Sequence, residues 1–327
     1  LSAFLYQRGN LIFYCQISIN MNLFEFHKQF PHEKACEEYL KIKRMEEGVV
    51  CSNCHGGKHY WLAPTQQFKC ANCGKKVNLT AGTMLESSHI PLLIWFKVIH
   101  LMTSTKKPFS ALEIQKQVGT KYYEPIWYMM QKIRITMGKR DDRYKLQGHI
   151  EIDGAFFHVV DFDDENERPL KRISKVGKHN AKVLVMVESK PNPKQTKDYD
   201  KARIMGFVKM IVIDDLKRTG INYEVQKHIS PTSVVISDSF SSFNEIGTLV
   251  KEHNAMVIPG KEAMQKLPWV HTVIANAKRN LLGTHHSINR QYLQNYLNEF
   301  CYKVNRRTFT SDLFDRMIVA GAHDTWY

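Results

Sequence analysis

Residues 149–160 read HIEIDGAFFHVV. Apolar and acidic side chains alternate through the first half of this stretch, and a period of two predicts a β-strand. The strand carries an acid in its interior, Asp153, which costs free energy there unless the carboxylate binds something. Gly154 would leave room for a close approach. Glu151 shares the strand face and is the alternative candidate; we favour Asp153 because it lies deeper in the strand.

Three further strands are predicted after the first one: Ala181–Glu188, Phe207–Ile213 and Val234–Ile236. A helical stretch near Tyr223–His228 separates the last two. This succession predicts an α/β domain, with a mixed sheet and helices on both of its faces.

Asp238 comes just after the last of these strands, where α/β sheets place functional side chains. Its alternative role is to cap a helix that begins near Ser239, which requires no metal. Asp214 and Asp215 end the preceding strand and form a rival pair of carboxylates. We favour Asp238 because of its position.

Four cysteines form two close pairs, Cys51 with Cys54 and Cys70 with Cys73. Two Cys-x-x-Cys turns with this separation are typical of a tetrahedral structural zinc site. Short strands at Tyr60–Leu62 and Phe68–Lys69 would complete a ribbon. Four unrelated buried thiols, or a redox pair, are the alternatives. No thioredoxin-like pattern surrounds either pair, and the spacing favours Zn²⁺.

The segments around the cysteines are predicted to be helical. A short amphipathic helix is expected over Glu33–Arg44, and three more over Pro91–Thr103, Ser110–Val118 and Tyr122–Met137. Ser110 and Glu113 form a capping box, and Gly119 ends the middle helix of the three. The last two helices would form a helix-turn-helix with Lys132 and Arg134 directed toward DNA. A plain helical connector is the alternative.

The overall charge is +14, from 46 Lys and Arg against 32 Asp and Glu, with a pI near 9.3. Such a surplus favours a polyanionic partner such as nucleic acid. Only seven cysteines occur, which indicates a reducing cytosol rather than a disulfide-built secreted protein. The most apolar stretch, Ile90–Met102, is too short to span a membrane and contains Lys97.

Several motifs in a fixed order resemble one family, the bacterial insertion-sequence transposases that join a zinc ribbon to an Asp-Asp-Glu-type catalytic domain. The resemblance covers residues 21–308. Its motifs are the cysteine pairs, Leu79–Thr83, Ser110–Gln115, Ile152–Gly154, Trp269–Arg279, Gly283–His286, Tyr296–Tyr302 and Asn305–Arg307. The resemblance implies a ribonuclease H-like fold, dependence on magnesium, and terminal inverted repeats as the DNA substrate.

By motif position, the resemblance makes Asp153 and Asp238 the first two catalytic acids, each binding Mg²⁺. At the third position this sequence has Asn276 instead of a carboxylate, with Lys278 two residues later; one branch of the family looks similar. An Asn carbonyl can bind Mg²⁺ but cannot act as a base. On a helix Asn276 and Lys278 are about 200° apart, so both cannot address one metal.

Asn276 could instead be a surface amide, and Glu262 and Glu299 are then the alternative third acids. The sequence also predicts DNA phosphate contacts near the catalytic residues. These contacts come from Lys278, Arg279, His285, His286 and Arg290. A solvated basic helix face is the alternative for each of them.

The expected organisation has six parts: an upstream extension (1–20), an N-terminal helix (21–48), the zinc ribbon (49–80), a helical DNA-binding segment (88–140), the catalytic domain (148–308) and a C-terminal tail (309–327). We therefore predict a DNA transposase that uses Mg²⁺ or Mn²⁺, acts as a homo-oligomer on DNA, and resides in the bacterial cytoplasm with the nucleoid. A non-catalytic DNA-binding regulator and a nuclease that does not join strands are the rival functions.

Overall fold

A computed structural model describes residues 21–160, 180–193, 202–257, 266–285, 287–308, 313–325 and 327. The predicted upstream extension, Glu262 and His286 lie outside the described residues. No helix in the described ranges is both long enough and apolar enough to cross a membrane.

The N-terminal part contains two helices and a small antiparallel sheet. The helices are α1 (Leu23–Gln29) and α2 (Glu33–Glu47), and the strands are β1 (His59–Leu62), β2 (Gln67–Cys70) and β3 (Lys76–Asn78). The strand order is β1-β2-β3. The first two strands agree with the sequence prediction, whereas the three-residue β3 is too short to give a period and was missed.

Three helices follow the ribbon: α3 (Leu92–Ser104), α4 (Ala111–Val118) and α5 (Tyr123–Asp142). The predicted glycine C-cap and one of the two bonds of the predicted capping box are present. The Ser110 hydroxyl accepts the N–H of Glu113 at 3.1 Å, and Gly119 ends α4 with a φ of 73°. A left-handed residue at this position favours glycine, so the turn into α5 is set by the local sequence.

A five-stranded mixed sheet forms the second part of the chain. Its strands are β4 (His149–His158), β5 (Asn180–Pro191), β6 (Arg203–Ile213), β7 (Val234–Asp238) and β8 (Glu252–Met256), and helix α6 (Arg218–His228) precedes β7. The order is β6-β5-β4-β7-β8. Strand β4 pairs antiparallel with β5 and parallel with β7. This is the predicted ribonuclease H-like arrangement, and the prediction of an α/β fold is confirmed.

Helices cover both faces of this sheet. After the sheet, the described residues contain the helices α7 (Pro268–Thr284), α8 (Leu293–Asn305) and α9 (Leu313–His323). Apolar residues of α7 and α8, such as Val273 and Leu297, pack on the face that contains Ala155 and Phe157. Helix α6 packs on the opposite face, through Ile221 and Val225.

The C-terminal segment returns to the N-terminal part of the molecule. We expected a tail over 309–327, but α9 buries Phe314 and Met317 in the same core as Phe26 and Trp95. The N–H of Met84 donates to the carbonyl of Gly321 at 2.8 Å. We call the helices that share this core, α1 to α5 and α9, the helical module.

Candidate active site and zinc centre

Two carboxylates lie side by side on neighbouring parallel strands. Strands β4 and β7 pair with Ile152 opposite Ser237, which places Asp153 next to Asp238 on the same face of the sheet. One oxygen of each acid accepts a backbone N–H: from Gly154 to Asp153 at 2.7 Å, and from Phe240 to Asp238 at 3.2 Å. Asp238 therefore shapes the turn after β7 and also stands beside Asp153; it does not cap a helix, because the short helix at Ser241–Phe243 has Phe240 at its N-cap and no side-chain cap bond.

Helix α7 crosses this face and is anchored by the other acid of β4. Glu151 is buried, and one of its carboxylate oxygens accepts the N–H groups of Trp269 and Val270 at 2.8 and 2.9 Å. A carboxylate at a helix N-terminus satisfies free donors and opposes the helix dipole. Glu151, the alternative to Asp153, is thereby occupied in positioning α7.

The anchored helix brings two basic side chains toward the acids. The His271 Nδ1 lies 3.7 Å from an oxygen of Asp153. Lys278, two turns further along the same helix face, has its Nζ 5.6 Å from the centre of the Phe157 ring. His271 was not among the predicted site residues, although its spacing of seven residues from Lys278 predicts that both lie on one helix face.

The electrostatics of the pair fit a bound cation. Burial raises the pKa of Asp153, and so does the negative charge of Asp238, whereas the Gly154 N–H, His271 and Lys278 lower it. Two adjacent carboxylates repel each other, and oxygen ligands of this type suit Mg²⁺ or Mn²⁺. The residues present thus fit a divalent cation, with Asp153 and Asp238 as its protein ligands.

Asn276, the predicted third metal ligand, does not lie beside Asp153 and Asp238. Asn276 is exposed on α7, and its side-chain oxygen accepts a hydrogen bond from Arg279 at 3.4 Å. By helical geometry it lies about 140° around the axis from His271, which faces Asp153. Within the described parts of the chain, no third carboxylate joins the pair to form a cluster.

The rival carboxylates Asp214 and Asp215 lie elsewhere. They follow β6, which is two strands and about 10 Å away from β4 across the sheet. Asp215 pairs with Lys217 at 2.8 Å and accepts its backbone N–H. Asp215 thus shapes the turn that leads into α6.

Glu299, the alternative third acid, is buried between α8 and α5. It pairs with Arg134 at 2.8 Å and with Lys303 at 2.7 Å, and these two cations lower its pKa to about 2 against the desolvation that raises it. Arg134 is only 1% exposed and stacks over the Tyr296 ring at 4.2 Å. The expectation that Arg134 faces DNA is thus corrected: this guanidinium joins the helical module to the catalytic domain.

Replacing Glu299 with Gln should destabilise the protein by about 3–5 kcal/mol, because it leaves buried cations without their counter-charge. The lowered pKa contributes stability that is present above the unfolded value of 4.5 and lost as the pH falls toward 2. Thermal unfolding should therefore show a gap between variant and wild type at neutral pH that narrows below pH 4.5. Glu245→Gln, which removes an exposed pair with Arg218, is the control and should cost about 0–1 kcal/mol. Equal losses in both variants would contradict this role.

The other predicted DNA contacts differ in their surroundings. Lys132 is half-buried, and burial lowers its pKa while Glu86 raises it. His285 packs against the Tyr296 ring at 4.6 Å, and burial together with the nearby Arg134 lowers its pKa to about 4. It is therefore neutral at pH 7 and is no cation for phosphate. Arg279 is exposed and Arg290 is half-buried.

The four ribbon cysteines converge. Their sulfur atoms all lie within 4.8 Å of one another, with Cys51 to Cys73 at 3.6 Å and Cys54 to Cys70 at 3.5 Å. A tetrahedral zinc with Zn–S bonds of about 2.3 Å requires sulfur separations of roughly 3.8 Å. The cluster fits one structural Zn²⁺ with four protein ligands and no open position.

The strand order with its acid pair defines a ribonuclease H-like domain, and the cysteine cluster defines a zinc ribbon. Two family models match the chain: an ISXO2-like transposase domain over residues 145–305, and a transposase zinc-ribbon domain over residues 31–76. Together they cover more than half of the chain. None of the curated proteins compared with the chain matches it. The chain belongs to the insertion-sequence transposases that join a zinc ribbon to an ISXO2-like domain.

Proposed function

We propose that this transposase cleaves DNA at transposon ends and joins the freed 3′ hydroxyl to target DNA, using a divalent cation held by Asp153 and Asp238. The observation that carries the proposal is the register of β4 and β7, which sets the two carboxylates next to each other on one sheet face. A structural role does not account for the pair, because two half-buried acids side by side on neighbouring strands repel each other.

The residues around the acids have separate roles in this proposal. Asp153 and Asp238 hold Mg²⁺ or Mn²⁺, which supplies stabilisation of negative charge on the reacting phosphate. Lys278 contacts a phosphate of the bound strand and sets its position. Arg279, exposed on the neighbouring part of α7, adds a second phosphate contact further from the acids.

Asn276 and His271 are competing candidates for the third position. Asn276 reaches the acids only if α7 turns about its axis when DNA binds, whereas His271 already lies beside Asp153. If Asn276 binds the cation, Asn276→Ala should lose most cleavage and Asn276→Asp should keep part of it. If His271 has that role, His271→Ala should be the impaired variant and Asn276→Ala should cut DNA at the wild-type rate.

The substrates of this reaction are the terminal inverted repeats of the transposon and a target duplex. Synapsis of two ends calls for a homo-oligomer on DNA, and the compartment is the bacterial cytoplasm with its nucleoid. The basic charge of the chain supports a DNA partner.

A strand-transfer assay tests the proposal. Purified zinc-loaded protein is incubated with Mg²⁺, a labelled duplex carrying a transposon end with its flanking DNA, and a target plasmid. We expect cleavage at the end and joined products. Binding without cleavage would favour a DNA-binding regulator, and cleavage without joined products would favour a nuclease; either outcome overturns the proposed function.

A further inference from the structure

The outer face of the zinc ribbon carries a cross-strand row of three side chains. Tyr60 on β1 pairs with Lys69 on β2, and Lys69 pairs with Lys76 on β3. Paired residues of antiparallel strands project from the same sheet face, so the three side chains stand side by side. All three are exposed, Tyr60 to 63%. We call this set the ribbon row.

The opposite face of the ribbon is covered by the helical module. Phe68 is buried there against Trp61, with ring centres 4.8 Å apart. Arg44 of α2 lies over the Phe68 ring at 5.4 Å, and Lys41 of the same helix lies over the Trp61 ring at 5.5 Å. The ribbon is thus held by its inner face, and the ribbon row is turned away from this contact.

The charged side chains within the ribbon segment itself are of one sign. From Gly48 to Leu85 the sequence has four lysines, at 58, 69, 75 and 76, and no Asp or Glu. Like charges placed directly opposite each other across a sheet are destabilising, so Lys69 beside Lys76 costs stability in the free protein. Neither lysine pairs with a carboxylate in the described part of the chain. A polyanion at this face would remove the repulsion.

We propose that the ribbon row is a docking surface for the phosphate backbone of duplex DNA, with Lys69 and Lys76 on separate phosphates and the Tyr60 hydroxyl donating to a neighbouring phosphate or sugar oxygen. Lysines on phosphates position a protein without reading sequence. The ribbon therefore contributes affinity and orientation at any DNA sequence. The inference rests on the proposed function only in taking DNA as the partner.

DNA binding without Mg²⁺ tests this surface independently of cleavage. Zinc-loaded full-length protein is titrated with a fluorescent duplex of random sequence at several salt concentrations. Each lost phosphate contact reduces the slope of log affinity against log salt by about 0.9, so Lys69→Ala/Lys76→Ala should reduce it by about 1.8. Lys69→Arg/Lys76→Arg should keep the wild-type slope.

Lys28→Ala/Lys34→Ala is the matched control, since both lysines are exposed on α1 and α2 and the net charge changes equally. Its slope should stay at the wild-type value. An unchanged slope for the Lys69/Lys76 variant, or an equal drop in the control, would overturn the proposal. Acetylation footprinting of wild-type protein gives a second readout that does not depend on the folding of a variant. The duplex should protect Lys69 and Lys76 but leave Lys34 reactive, and acetylation of all three in the complex would also overturn it.

Discussion

Asp153→Ala and Asp238→Ala should each reduce DNA cleavage by about a thousandfold while leaving the affinity for end DNA nearly unchanged. A cation at the reacting phosphate is worth several kcal/mol in the transition state, and each 1.4 kcal/mol is a factor of ten in rate. The acids hold the cation and not the DNA backbone, so binding should survive. Single-turnover cleavage and fluorescence anisotropy measure the two effects separately.

Asp214→Ala is the matched control for these variants, because it removes an exposed carboxylate from the far edge of the same sheet. It should cleave at the wild-type rate.

The Asp153→Asn variant tests whether loss of the carboxylate charge destabilises the folded protein. Because burial and the neighbouring acid raise the pKa of Asp153, its charge is unfavourable without metal at neutral pH. With the structural zinc kept in place and no Mg²⁺ or Mn²⁺ added, this variant should melt no lower than wild type. Cleavage that persists in either alanine variant would remove the acid pair from catalysis.

Cys51→Ser/Cys70→Ser should abolish zinc binding and unfold the ribbon. Structural zinc in small cysteine sites is bound with about 10–16 kcal/mol at neutral pH, and this binding energy is folding energy. Loss of zinc should also destabilise the helical module, because Val49, Phe68 and Leu79 of the ribbon belong to its core. Metal analysis should find about one zinc per chain in wild type and none in the variant, with a lower melting temperature.

Cys301→Ser is the control for this experiment. It changes a buried thiol in α8 that lies outside the cluster, and full zinc content should remain. Full zinc in the Cys51/Cys70 variant would show that the metal site has been assigned to the wrong residues.

Elements with strong local signals were predictable. The period of two in residues 149–160, the N-cap at Ser110 and the spacing of the cysteines all predicted the right structures. Strand β8, with the sequence EHNAM, has no such period because it is a short and largely exposed edge strand. The apolar residues of α9 recur at helical spacing, but the core that they enter lies far away in the chain and could not be predicted from that pattern.

The candidate site was less predictable than the fold, because its geometry depends on contacts between residues far apart in the sequence. Asp153 and Asp238 could be proposed from their strands, but their neighbours depend on tertiary contacts. Glu151 reaches a helix 118 residues later, and Arg134 enters a buried pair rather than a DNA surface. Gly154 was expected to open space near the acid. It instead packs toward Leu216 on the other face, where a Cβ would lie 3.1 Å from a methyl group.

The central claim is that Asp153 and Asp238 together hold a divalent cation, and direct measurement of Mn²⁺ binding tests it. Zinc-loaded wild-type protein and the Asp153→Asn/Asp238→Asn variant are titrated with Mn²⁺ and followed by electron paramagnetic resonance. We expect saturable Mn²⁺ binding to the wild-type protein, and Mg²⁺ should compete with it. The variant should bind Mn²⁺ more than about a hundredfold more weakly, which exceeds the loss caused by changing a residue that only contacts a metal ligand. Binding of equal affinity and stoichiometry in both proteins would contradict the account.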